Sequence, residues 1–124
     1  MINLIFLYTA SAFLIFWGIA HLVPTKNVVR GFGDITVDNK RIITMEWLIE
    51  GITLIFIGVV VAVVAYIDHS HAVSKAVFRS SFLMLSALTV ISVFTGAKIN
   101  FLPFKLCPVI FIVASILIIL GIYI

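Results

Sequence analysis

Ile42-Ile43-Thr44-Met45-Glu46-Trp47-Leu48-Ile49-Glu50-Gly51-Ile52-Thr53-Leu54-Ile55-Phe56-Ile57-Gly58 opens an apolar run that continues to Ile67. A run of that length reads as a membrane-spanning helix, because roughly 20 apolar residues cross about 30 Å of hydrocarbon. Glu46 and Glu50 lie inside it, four residues apart. Carboxylates in such a helix are costly to bury and are tolerated where they face a bundle interior or a wet cavity. They mark the first place to look for function.

The rest of the chain agrees with that reading. Apolar residues make up 64% of the 124 residues and charged residues only 10%; the mean hydropathy is +1.33. A single water-soluble domain of this size lacks the interior to hide so much apolar surface. The expectation is one all-α domain, a polytopic membrane protein. The net charge of +3 then bears on topology and lipid contact. Nucleic acid is not an expected partner, since no basic stretch is interleaved with aromatics on a polar scaffold. The single cysteine, Cys107, excludes an intrachain disulfide and a multi-cysteine metal cage.

Four apolar segments are visible, at about 3–23, 40–67, 76–97 and 103–124. None alternates like a barrel strand, so the prediction is a four-transmembrane-helix bundle. Pro24 stops the first segment, and Asp38 is the expected N-cap of the second. The first segment reads as a retained anchor. Met1-Ile2-Asn3 carries no side-chain positive charge, and Ala10-Ser11-Ala12 interrupts too short an apolar run for cleavage. Loop one carries Lys26, Arg30, Lys40 and Arg41, loop three carries Lys98 and Lys105, and loop two only Lys75 and Arg79. Six cations against two place loops one and three in the cytoplasm, with a bacterial plasma membrane as the expected location.

Loop one mixes Val28, Val29, Phe32 and Ile35 with Lys26, Arg30 and Asp34. That mixture predicts a segment lying at the interface or folded back over the bundle mouth. Gly31-Phe32-Gly33 lacks a preceding strand and a following lysine, so it reads as a turn seating Phe32, not as a phosphate loop.

The polar groups embedded in the segments collect at one end. His21 closes helix one, Glu46 and Glu50 begin helix two, Thr95, Lys98 and Asn100 close helix three, and Cys107-Pro108 opens helix four. All lie toward loops one and three. The other half holds mainly Tyr8, Thr9, Ser11 and the Ser80-Ser81 pair. Glu50 sits about 15 Å along the helix from Lys40, inside the hydrocarbon boundary, with Glu46 about 6 Å shallower. By depth His21, Lys98 or Arg30 could neutralise Glu50. Structural alternatives stand beside each functional reading. Glu46 could pair with Lys40 or Arg41 at the interface, Glu50 could form a buried pair with Lys98 or His21, and Lys98 could snorkel as an anchor. Trp17 and Trp47 fit an aromatic belt first and a cavity wall second.

Small residues at Gly51, Gly58, Ala62 and Ala65, and at Thr89, Ser92 and Gly96, form stripes that suit close helix packing or a homodimer. Asp68-x-x-His71 with His69 is better explained by helix capping than by metal. Haem between paired histidines is disfavoured, since His21 and His69 end opposite sides of the membrane. Cys107 reads as an inert thiol at a helix start.

Two pieces resemble the DoxX-like group of small four-helix membrane proteins. Gly18-Ile19-Ala20-His21 is similar to that group's glycine-x-x-basic ending of helix one. Glu50-Gly51-Ile52-Thr53-Leu54-Ile55-Phe56-Ile57-Gly58 is similar to its glutamate-glycine-leucine stretch with a later glycine. The resemblance implies a four-helix bundle with a polar pocket at one end, and, in some relatives, a role as subunit of a quinone-linked oxidoreductase acting on sulfur compounds. The chain departs from the pattern in its Gly-Phe-Gly loop, its additional Glu46 and its lack of a cysteine pair.

Three functions remain open from sequence. The first is a protein binding an amphipathic ligand, lipid or quinone, in a pocket of Trp17, His21, Glu46, Glu50, Thr95, Lys98 and Asn100, with catalysis left undecided. The second is a proton-coupled transporter acting as a dimer through Glu50. The third is a non-catalytic subunit docked in a larger membrane complex. No Ser/His/Asp set, phosphate loop or zinc ligand set is present.

Overall fold

The computed structural model describes residues 1–124 and contains helices and turns with no strand. Helix α1 spans Ile2–Leu22, α2 Thr25–Gly31, α3 Val37–Asp68, α4 Ala72–Phe94 and α5 Leu102–Tyr123, with a 3-10 turn at Gly96–Lys98. Four of them, α1, α3, α4 and α5, are long and apolar enough to cross a membrane. The protein is an all-α, integral membrane four-helix bundle, and the short α2 occupies loop one.

The helix starts differ from the expected ones for local reasons. Helix α3 begins at Val37, and its N-cap is Thr36, whose Oγ1 accepts from the Asn39 N–H at 3.2 Å. Asp38 is not the cap; it lies in the first turn and pairs with Arg41 at 3.6 Å. Helix α4 begins four residues earlier than expected because His71 caps it, its Nδ1 accepting from the Val73 N–H at 3.2 Å. Asp68 Oδ1 accepts from both the N–H and the hydroxyl of Ser70, closing the α3–α4 turn. The loop-two polar residues Asp68 and His71 are thus consumed by capping.

Helix α1 packs on α3 and on α5, α5 packs on α4, and α4 meets α3 only lightly. The core running through this open ring is apolar, with Leu7, Leu14, Leu54, Val61, Phe78, Leu85, Phe111 and Ile118 fully buried. Phe16, Phe56, Leu83 and Phe94 point outward and are exposed. Lipid tails are as apolar as these side chains, so cohesion here comes from close packing and polar contacts more than from hydrophobic transfer.

The tightest packing is between α1 and α3. A Cβ added to Gly18 would lie 2.7 Å from the Gly51 carbonyl oxygen, and one added to Gly58 would lie 2.9 Å from the Ser11 carbonyl oxygen. The two backbones therefore nearly touch twice along the crossing. Ser11 Oγ–H donates to the Gly58 carbonyl at 2.7 Å across the second of these points. Gly51, Gly58 and the buried Ala65 serve packing within the chain.

Candidate functional site

The Gly18–Gly51 crossing sets the site. His21 lies one turn beyond Gly18 on α1, while Trp47 and Glu50 flank Gly51 on the antiparallel α3. With no side chain between the backbones, His21 and Trp47 stack face to face, ring centroids 3.8 Å apart and planes 16° from parallel. Trp47 Nε1–H donates to the His21 carbonyl at 2.7 Å. That carbonyl is in the last turn of α1, where no intrahelical donor reaches it. Phe104 of α5 meets the Trp47 ring edge-on at 5.5 Å, and Phe101 tilts against Phe104 at 5.8 Å.

The stack aims the imidazole at Glu50. His21 Nε2 lies 3.5 Å from Glu50 Oε2, with the histidine side chain 4% exposed and the glutamate 40% exposed. The separation is within ion-pair range and outside good hydrogen-bond geometry, and Nε2 has no hydrogen-bond partner. The imidazole is enclosed; the carboxylate is half open to a cavity.

That cavity, about 540 Å³, lies between α3, α4 and the start of α5. Its walls are chiefly apolar, from Ile42, Ile43, Ile49, Met84, Leu88, Ile91 and Ile99, with Phe32 of loop one at its margin. The polar groups facing it are Glu46, Glu50, Thr53, Ser92 and Thr95. A smaller cavity of about 210 Å³ sits on the α1–α5 side, lined by Trp17, Ala20, His21, Pro24, Phe101, Pro103 and Leu106. Trp47, Phe104 and Cys107 line both and form the partition between them. His21 and Glu50 touch across that partition, one belonging to each chamber. Pro108, inside α5 next to Cys107, has no N–H to give to the Phe104 carbonyl one turn back.

The seven expected site residues divide into three groups. Glu46, Glu50 and Thr95 line the larger cavity, and Trp17 and His21 the smaller. Lys98 and Asn100 line neither and are exposed. Helix α4 ends at Phe94, and the following 3-10 turn carries Lys98 outward, its Nζ 6.0 Å from the Phe94 ring. Neither Lys98 nor Arg30 pairs with Glu50; His21 is its sole ionic neighbour within 4.0 Å. Glu46 makes no ion pair with Lys40 or Arg41. Trp47 is 9% exposed and locks the crossing, so it is not a belt residue. Trp17 is half-buried, with Nε1 enclosed and without a partner.

Phe104, Thr53 and Phe32 are cavity residues that sequence reasoning did not assign to the site. Phe32 was legible as a seated aromatic between glycines. Phe104 could have been sought as the aromatic following Pro103, where α5 begins. Fold-back of loop one is achieved by α2 and by Gly33, whose φ of +71° is a conformation that favours glycine.

No protein-family model, curated protein or solved structure matches this chain.

Proposed function

We propose that the protein binds a small amphipathic molecule, lipid-like or quinone-like, in the larger cavity. The observation that carries this reading is a half-exposed carboxylate, Glu50, facing a cavity of ligand size whose other walls are mostly apolar. Sites of that kind hold a polar head by a few directed groups and a tail by apolar walls. Glu46, Ser92 and Thr95 supply further head contacts, while Met84, Leu88 and Ile91 receive the tail. Because α4 meets α3 only lightly, a ligand could enter sideways from the bilayer between those helices. His21 stands behind Glu50 at 3.5 Å, an acid–base neighbour of the kind a quinone-linked subunit would use.

The kinship with the DoxX-like group belongs to this proposal. Its support is that the residues of both motif-like pieces, Gly18, His21, Glu50, Gly51 and Gly58, meet at or beside the α1–α3 crossing. The cation bias of the loops supports a cytoplasmic placement of loops one and three, and hence of the cavity. Tags on both termini accessible only from the cytoplasm would overturn that orientation.

The test of binding is Glu50→Gln. Protein purified in mild detergent is extracted, and co-purifying lipid and quinone are quantified by mass spectrometry. The variant is expected to retain severalfold less of one species at unchanged bundle stability. Equal retention in both proteins would remove the binding role. A structural-subunit reading has its own support, since His21 and Trp47 are held in the crossing itself. It expects lower stability in the variant, an unchanged bound molecule and a stoichiometric protein partner. A dimeric transporter has less support, because α1 already covers Gly51 and Gly58.

A further inference from the structure

Between α2 and the start of α3 lies a second, polar concavity of about 470 Å³. Lys26, Arg30 and Asp34 reach it from α2 and the turn behind it, and Lys40 and Thr44 from α3. Lys26 and Arg30 are four residues apart on one helix, as are Lys40 and Thr44 on the other, so each pair shares a face. None of the three cations has a carboxylate within 4.0 Å, and Asp34 pairs with none of them. The concavity thus gathers three uncompensated positive charges and one carboxylate at the end of the bundle where the apolar spans stop.

Lys40 and Thr44 also line an apolar groove of about 520 Å³ that continues along α3 past Met45, Leu48, Ile49 and Ile52. From Lys40 to Ile52 the helix advances about 18 Å, close to the roughly 15 Å depth of one leaflet's hydrocarbon. Cations at one end and an apolar trough leading inward from them match one kind of molecule.

We propose that this composite surface is a binding site for one anionic phospholipid. Its phosphate sits among Lys26, Arg30 and Lys40, and one acyl chain lies along Met45, Leu48 and Ile52. Arg30 can grip two phosphate oxygens at once, and the two lysines add point charge. Basic pockets at helix ends take anionic headgroups in this way. Asp34 is an acceptor for a headgroup hydroxyl, which favours a glycerol headgroup over a bare phosphate. Choline, carrying its own cation, would be set against the lysines. The site shares only the wall residue Ile49 with the Glu50 cavity and no cation or carboxylate, and so stands or falls independently of the function proposed above.

The full chain is titrated with phosphatidylglycerol in detergent, and the lipid-bound fraction is read by native mass spectrometry, with phosphatidylcholine as reference. Phosphatidylglycerol is expected to bind at least tenfold more tightly than phosphatidylcholine. Lys26→Gln/Arg30→Gln should weaken it by tenfold or more, while Lys75→Gln/Lys105→Gln, with the same loss of charge outside the site, should leave it within twofold. Leu48→Trp, which fills the trough, should also weaken it, and millimolar inorganic phosphate should not displace it. Equal loss in the two double variants would reduce the effect to net charge and overturn the site. Displacement by phosphate with Leu48→Trp silent would make it an anion site without lipid, and equal affinity for phosphatidylcholine would likewise refute the proposal.

Discussion

Gly18→Ala isolates the contact on which the site depends. The new Cβ would lie 2.7 Å from the Gly51 carbonyl oxygen, 2.6 Å from Ile55 Cγ1 and 3.0 Å from the Ile55 nitrogen. Ordinary carbon–oxygen contact is about 3.3 Å or more, so α1 and α3 must part by roughly 0.6 Å at this point. Two of the three obstructing atoms are backbone, and no rotamer change relieves them. A gap of that size forfeits a quarter or more of each dispersion contact along the crossing. Overpacking of this kind costs about 1–3 kcal/mol. Gly31→Ala is the internal control, since nothing lies within 4 Å of its added methyl; it should be neutral or slightly stabilising. Gly51→Ala should fall between, because its closest obstruction is the movable end of Leu22, at 2.5 Å. Unfolding of the purified protein in mixed micelles, followed by Trp fluorescence against denaturing-detergent fraction, measures all three. Stability of Gly18→Ala indistinguishable from the parent, or matched by Gly31→Ala, would show that the helices do not cross as described.

Two further substitutions test the local chemistry. Trp47→Phe keeps an aromatic ring against His21 but removes the N–H that satisfies the His21 carbonyl. The loss should be about 1–2 kcal/mol, with faster hydrogen exchange at the end of α1 in detergent-solubilised protein; exchange unchanged there would contradict the bond. Thr36→Ala deletes the side-chain cap of α3, costing about 1 kcal/mol. Its effect should be confined to faster exchange of the first-turn amides through Asn39, and an unaltered Asn39 amide would rule Thr36 out as the cap.

The span architecture was readable because hydrophobic length is a property of a single segment, and each helix displays it independently. The concentration of polar groups at one end was also readable, from chain reversal alone. Which of those groups touch was not. His21, Lys98 and Arg30 have similar depths, and only the azimuth of each helix distinguishes them. That azimuth is set by Gly18 and Gly51 on α1 and α3, while Lys98 is carried outward by the turn after Phe94. The Gly51–Gly58 stripe was legible as a packing face, but its partner was not. A stripe of small residues fits a neighbouring helix of the same chain or of another equally well.

Packing strength around the bundle is uneven in a way that bears on function. Where α1 meets α3 the backbones are nearly in contact and bridged by the Ser11–Gly58 hydrogen bond. Where α3 meets α4 there is a cavity instead, and the carboxylate of Glu50 opens into it. One helix, α3, therefore has a rigid side and an open side at the same height. An ionisable group attached to a mobile element gains little orientation from its neighbours. Glu50 sits beside Gly51 at the rigid side, 3.5 Å from His21, while its half-exposed carboxylate also lines the open one. A lateral entry needs α4 to yield, and α4 is the helix with the least burial of the four. Cavity, entry seam and half-exposed carboxylate thus follow from one distribution of residues along α3: glycines toward α1, and Glu46, Glu50 and Thr53 toward α4.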